Sequence, residues 1–407
     1  MVATVERPAG QKQSGGAGGR NRPAREVNLR IPGPTTLPPA VRRALSGQMI
    51  NHRGPEFAAL QAETVAGVQR VFQTEQDVLF FPGAGTGGLE AALVNCFSPG
   101  DAVLSITIGS FGERWCEIAR AFGLSVEQMP FPWGQGADPE VVIRRLQQGP
   151  PLRGVMITHN ETSTGVTNPV AEIAPAVRQA GALLLVDCVS SMGAIPFRTD
   201  EWGVDVAITG SQKAWMIPPG LTMLSVSRRA WEATQQARLP RSYWDFRAAR
   251  DYQKRGQTPY TPAITQMYGL RAALGLIEAE GLPKVFQRHQ EIGAYTRRLV
   301  QRMGLRLAAD PRYYSDTVTA VVAPPGVDMQ TVHRRLREEH NVVLATGQEH
   351  WRDTHFRIGH LGYVRKAEIR RALQALGEVL RDTPAGSPPT GAPHPEGSRV
   401  EGARGPR

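Results

Sequence analysis

The stretch TGSQKAW, residues 209–215, places Lys213 just after the apolar run VDVAI and just before MIPPG. A lysine resists burial, so one at the exit of a buried strand implies either a neutralising partner or a reaction for its amine. Two other stretches offer partners. Asp187 closes the apolar run ALLLVD, and GAGTGGLEAAL (83–93) sets glycines and Thr86 at the start of a helical segment. Free backbone N–H groups at such a helix start make a site for one phosphate-sized anion.

Each feature has a plain structural reading by itself: a loop charge, a helix cap, a tight turn. Together they supply an amine for a Schiff base, a carboxylate to keep a pyridine nitrogen protonated, and an anion hole. Those are the requirements of pyridoxal 5'-phosphate. Gly83, Gly85 and Gly88 also match G-x-G-x-x-G formally. A dinucleotide site needs an acid at the end of the next strand to hold the ribose. There the chain has Gly109, Ser110 and Phe111, and the nearest acid, Asp101, comes before that strand.

The elements that position these residues follow one rhythm: an apolar run, a polar or glycine-rich turn, a helical segment. The runs are DVLFF (77–81), AVLSITI (102–108), GVMITH (154–159), ALLLVD (182–187) and VDVAITG (204–210). Continuous aliphatic runs alternating with helices predict parallel strands buried on both faces, joined by right-handed crossovers. Open sheets of this kind bind ligands outside the carboxyl ends of their strands. The predicted ends carry GAGTGG, GSFGE, HNETSTG, DCVSS and GSQK, which therefore converge on one crevice. Beyond about residue 265 two long helices, an alternating segment DTVTAVVAP and an amphipathic helix bearing Ile369, Leu373, Leu376 and Leu380 predict a smaller α+β unit.

The expected organisation is an α/β protein with a mostly parallel central sheet in a large domain over 27–281 and a smaller C-terminal α+β domain over 282–382, with 27–45 packing against the latter. Residues 1–26 and 383–407, rich in Gly, Pro, Arg and Ser, cannot bury enough apolar surface to offset their ordering entropy and are expected to be disordered.

The 407 residues are 41% hydrophobic and 21% charged, the balance of a soluble globular protein. No apolar window of about eighteen residues and no apolar segment behind the N-terminal charges occurs, so neither a membrane span nor a signal peptide is expected, and a cytoplasmic location is. The net charge of +10 is spread over amphipathic segments and both tails without aromatic interleaving, which argues against nucleic-acid binding. Cys96, Cys116 and Cys188 show no C-x-x-C spacing, so neither disulfides nor a metal site is expected.

In PGPTTLPPAV, HRGPEF, GAGTGGLEAAL, GSFGERW, HNETSTGV, LLLVDCVSSMG, GSQKAW, TPYTPA and FRIGHLG, taken in order, the chain resembles the class V aminotransferases of fold type I, in the branch of alanine–glyoxylate, serine–glyoxylate and serine–pyruvate aminotransferases. The resemblance spans 27–382. It implies that Lys213 carries the cofactor as a Schiff base and shuttles the substrate proton, that Asp187 pairs with the pyridinium, and that Thr162 reaches the ring hydroxyl. It implies Gly85, Thr86 and Gln212 as phosphate ligands, and Phe111 as the aromatic stacked on the ring where relatives often carry Trp. Arg357 in FRIG, with Gly33 in PGPTT, would bind the substrate, the arginine by a two-pronged grip on the carboxylate. Thr261 in TPYTPA would reach the phosphate of a neighbouring subunit, making a homodimer with shared sites.

Two departures stand out. Relatives place a tyrosine three residues before that threonine, where this chain has Thr258. The stretch LATGQEHWRDTHFRIG replaces a glycine-rich loop before the arginine. The implied reaction is transfer of the amino group of serine or alanine to a 2-oxo acid such as glyoxylate or pyruvate, ping-pong through pyridoxamine phosphate. Alternatives are a phosphonate-handling aminotransferase of the same branch, or a non-catalytic subunit of a larger assembly. A cysteine desulfurase would need a nucleophilic cysteine in the C-terminal half, and the last cysteine is Cys188.

Overall fold

The computed structural model describes residues 26–383, so the two predicted tails lie, except for Glu26 and Thr383, outside the described residues. Seven strands form the main sheet in the spatial order Asp77–Gly83, Gly220–Val226, Val206–Gly210, Leu183–Asp187, Gly154–Thr158, Ala102–Thr107 and Ser125–Pro130. Only Gly220–Val226 runs against its neighbours. All five predicted runs are strands here, and their carboxyl ends lie along one edge.

The runs are continuous because alternate side chains feed two different cores. Val78 and Phe80 enter one apolar cluster and Leu79 and Phe81 the other; Leu184 and Val186 separate from Leu183 and Leu185 in the same way. Helices cover both faces, so neither set of side chains meets water. Burying a Leu, Val or Phe contributes about 1.5–3 kcal/mol each, which makes this double-faced burial the main adhesive of the sheet. The helices Ser110–Ala121 and Val170–Gln179 are each followed by a glycine at positive φ, Gly123 at +79° and Gly181 at +74°, where the chain turns back toward the next strand.

Two strands were not among the predicted runs. Ser125–Pro130 pairs in parallel at the sheet edge and is nowhere fully buried, so its sequence carries no apolar run. Gly220–Val226 is a buried return strand inserted between Asp77–Gly83 and Val206–Gly210.

A second sheet has the order Asn28–Arg30, Val342–Thr346, His355–Gly359, Val318–Val322. The first two strands are parallel and the other pairings antiparallel. Its core takes Val332 and Leu336 from the helix Met329–His340 and Ile369, Leu373 and Leu376 from the helix Lys366–Arg381. Leu380 packs at the margin of this cluster. Cys96, Cys116 and Cys188 are buried free thiols. Among the described residues no helix is long and apolar enough to cross a membrane.

Candidate active site

Lys213 sits three residues beyond the strand Val206–Gly210, with 9% of its surface exposed. Its Nζ donates to the Pro32 carbonyl at 2.7 Å. The PGPTT stretch is stitched to this lysine's backbone as well: the Thr35 hydroxyl donates to the Lys213 carbonyl at 2.8 Å and the Thr35 amide to the Gln212 carbonyl at 3.0 Å. Burial first, and the Arg357 guanidinium second, push the amine down to about 8 against the pull of Asp187 and Glu161. A primary amine near neutrality in the resting site can act as nucleophile or base.

Asp187 ends its strand between Thr158 on one neighbour and Ile208 on the other. Burial pushes its carboxyl up to about 7, with the Glu161 charge acting in the same direction and the Val189 amide, Lys213 and Arg114 opposing. The Val189 amide, 2.8 Å from Oδ1, is its one hydrogen-bond donor among the described residues. A protonated ring nitrogen placed beside this carboxylate would supply the missing partner.

Glu161, in HNETSTG, escaped the sequence reading and is fully buried beside this group. One carboxylate oxygen accepts the Phe111 and Gly112 amides at 3.0 and 3.2 Å, the other the Ser163 amide and hydroxyl at 3.1 and 2.6 Å. These bonds fix the first turn of the helix Ser110–Ala121 and with it the ring of Phe111. Arg114 lies against that ring, its guanidinium 5.0 Å from the centroid.

The helix Gly85–Cys96 begins without any side-chain cap on its N-terminus. The Gln212 side-chain oxygen, buried without a partner, and the Gly85 amide nitrogen would stand 3.0 and 3.3 Å from a Cβ placed on Gly210. Gly85 itself is closed on its other side by Val189, whose methyl carbon would be 2.6 Å from a Cβ there. An uncapped helix start and glycine backbone make a cradle fit for a phosphate, to which the Gln212 side chain can add a donor once its Nε2 rather than its unpaired oxygen faces the anion.

A cavity of about 430 Å³ opens over Lys213 and is lined by Gly33, Phe111, Thr162, Lys213, Gln348 and Arg357, among others. Gly33, Phe111, Thr162, Lys213 and Arg357 are thus brought together as predicted, while Gly85, Thr86, Asp187 and Gln212 lie outside its lining, at the adjoining strand ends. Thr261 is not brought to this cavity: it is exposed, beside Tyr260, whose ring stacks on Tyr243 at 5.1 Å. Thr258 turns inward on its own loop, its hydroxyl donating to the Tyr260 carbonyl at 2.6 Å.

Arg357 is 8% exposed, and burial pushes its guanidinium down to about 10. Its partners are carbonyls rather than acids: Nε donates to Thr346 O at 2.9 Å, and Nη1 to Thr162 O at 3.1 Å and Gln348 Oε1 at 2.6 Å. His333 and Arg337 also line the cavity wall, and neither was foreseen. They lie one helical turn apart on Met329–His340, a segment whose periodicity signals only an amphipathic helix.

The family described as aminotransferase class-V matches residues 32–367. The chain belongs to this family. This class-V aminotransferase is 41% identical over 358 residues to the soluble hydrogenase small subunit of a Synechococcus strain, covering 87% of this chain and 93% of that protein. It is also 41% identical over 358 residues to the L-aspartate–glyoxylate aminotransferase of Paracoccus denitrificans, covering 86% and 90%. Among solved structures, the alanine–glyoxylate aminotransferase of a Nostoc species superposes with a TM-score of 0.85 at 34% identity, over 90% of this chain and 98% of that one. The fold expected from the strand rhythm and the family expected from the motif order both hold for this aminotransferase.

Proposed function

We propose that this class-V aminotransferase is a pyridoxal phosphate-dependent transaminase that moves the amino group of a small amino acid, serine or alanine, to glyoxylate or pyruvate. The observation that carries this reading is the burial of one lysine, Lys213, in a single site with a buried carboxylate, Asp187, and a buried guanidinium, Arg357, both close enough to act on its charge. Pyridoxal phosphate, when bound, would supply an electrophilic carbon for amines and an electron-withdrawing ring that acidifies the substrate Cα–H bond.

The chain's own residues divide the remaining work. The Gly85 and Thr86 backbone and Gln212 would hold the phosphate, Phe111 would cover the ring face, and the Thr162 hydroxyl would reach the ring oxygen. Asp187 would keep the ring nitrogen protonated. Arg357 would receive the substrate carboxylate and so fix which Cα substituent faces Lys213. The Lys213 amine would then take the Cα proton and return it one position away, and the second half-reaction would run the same transfers backwards on the 2-oxo acid. Relatives that share glyoxylate as acceptor support a small oxo acid in that role.

Thr261 has a role only if another chain approaches it, and the same reading assigns it to the phosphate of a partner subunit in a homodimer. A cytoplasmic location belongs to this reading as well.

The test is a half-reaction titration. Serine and alanine, added separately to the cofactor-loaded protein, are expected to bleach its visible absorbance, and glyoxylate to restore it. A protein that binds no pyridoxal phosphate, or that binds it and responds to neither amino acid, would refute the proposal.

A further inference from the structure

Three of the five N–H hydrogens of Arg357 are already engaged. A guanidinium offers a carboxylate two planar edges, one made by Nε and Nη2 and the other by Nη1 and Nη2. The single Nε hydrogen goes to Thr346 O, and both Nη1 hydrogens go to Thr162 O and Gln348 Oε1. Each edge therefore has one nitrogen taken, and Nη2 alone is unengaged among the described residues. A two-pronged grip on a substrate carboxylate requires one existing acceptor to leave.

The three acceptors differ in how easily they can do so. The Thr346 carbonyl ends a strand paired with the arginine's own strand, Thr346 lying opposite Phe356. The Thr162 carbonyl belongs to a residue only 2% exposed. Neither can turn without moving backbone. Gln348 is a half-buried side chain at the cavity wall, free to change rotamer.

The backbone that carries it is pinned. The Gly347 amide donates to the His355 carbonyl at 2.8 Å, and a Cβ on Gly347 would come within 1.9 Å of the Trp351 carbonyl. Trp351 stacks on His355 with centroids 3.8 Å apart and meets Trp133 of the large unit edge-on at 5.3 Å. Exchange is thereby confined to the glutamine side chain.

We infer that Gln348 is the exchangeable partner of Arg357: it holds the guanidinium aimed into the cavity at rest, yields its place on Nη1 to the substrate carboxylate, and so sets the affinity for that carboxylate. This rests on the transaminase reading for the identity of the ligand, and on the geometry alone for the competition. Gln348 is a positioning residue, and its effect falls on binding rather than on turnover.

Two substitutions push in opposite directions. Gln348→Glu replaces a neutral acceptor by a charged one, which competes more strongly for the same guanidinium nitrogen. It is expected to raise KM for alanine and for glyoxylate at least tenfold, with kcat within threefold of wild type. Gln348→Leu removes the competitor at similar volume while both backbone carbonyls still hold Arg357. It is expected to lower KM several-fold. Calorimetric binding of propanoate to the cofactor-loaded proteins should follow the same order, and propanamide, which lacks the carboxylate, should bind all three alike.

A rise in KM with leucine, no change with glutamate, or parallel shifts for propanamide would each overturn the inference. Should one variant misfold, the other still decides the sign. Failure of the transaminase reading would show separately, as wild-type protein that alanine does not bleach, while propanoate binding would continue to report on Gln348 and Arg357.

Discussion

Gly33 is the seat of Lys213. A Cβ on Gly33 would stand 2.6 Å from the lysine Cδ and 2.9 Å from Nζ, closer than packed carbon atoms approach, and the residue's φ of +137° is one that side chains rarely adopt. Gly33→Ala is accordingly expected to displace the amine from the Pro32 carbonyl and to lower kcat/KM by about a hundredfold, or about 2.7 kcal/mol. Steady-state kinetics beside a thermal unfolding curve checks this. A variant with wild-type kinetics would show that the lysine does not need this space.

The depressed Lys213 amine gives a pH dependence with a definite sign. Its value falls from 10.5 unfolded to about 8 folded. A base whose proton affinity is lowered by folding costs stability below the folded value, and the cost fades as pH rises toward the unfolded one. Lys213→Met should therefore stabilise the cofactor-free protein at neutral pH by up to about 3 kcal/mol, by the conversion of pKa shift to free energy. The gain should shrink between pH 8 and 10.5. Urea unfolding of both proteins across that range measures it, and a gain that grows with pH would contradict the assignment. The same variant should have no transaminase turnover.

Glu161 accepts four hydrogen bonds, three of them from backbone amides that can only donate. In Glu161→Gln, the new NH2 must face either the Phe111 and Gly112 amides or the Ser163 amide and hydroxyl. At least one buried backbone amide is then left unsatisfied, because the Ser163 hydroxyl can reverse to accept but its amide cannot, and this costs about 1–3 kcal/mol. The expected result is a loss of stability of that order and weaker cofactor binding, about tenfold, because the first turn that carries Phe111 loses its anchor. Titration of pyridoxal phosphate into the cofactor-free protein, followed by visible absorbance, would expose the error if the affinity were unchanged.

Arg357→Lys keeps the charge and loses the fork. One ammonium cannot satisfy Thr346, Thr162 and Gln348 from the arginine's position and still grip a carboxylate. KM for every carboxylate substrate should rise about tenfold or more, with the amino acid and the oxo acid affected alike. Comparison of KM for alanine and for glyoxylate decides the point; an effect on one alone would place the other's carboxylate elsewhere.

The candidate catalytic residues are legible in the sequence where strand topology does the positioning. Lys213 and Asp187 follow buried apolar runs, and runs buried on both faces are nearly continuous in apolar residues, so both the strands and what lies at their ends can be read. Gly220–Val226 is not legible as part of this sheet, because nothing in chain order signals that a return strand is inserted between the first run and the fifth. Glu161 stands among Asn, Thr and Ser, the composition of a solvated turn; its burial arises only when the helix start at Ser110 folds over it. Gln348 is hidden for a similar reason: LATGQEHWRDTHFRIG departs from the glycine-rich pattern, and only the contact with Arg357 gives the departure a meaning.

The strand Asn28–Arg30 belongs to the smaller sheet, although the chain runs on directly to Pro32 and Gly33. A Cβ on Gly359, two residues past Arg357, would come within 2.1 Å of the Ile31 carbonyl, so the two segments lie in close contact. The segment whose Pro32 carbonyl tethers the lysine thus rests directly against the strand that carries Arg357. Both are also tied to loops of the large sheet, the first through Thr35 to Gln212 and Lys213 and the second through the Thr162 carbonyl. A shift of one sheet against the other is therefore felt at the lysine tether and at the guanidinium together.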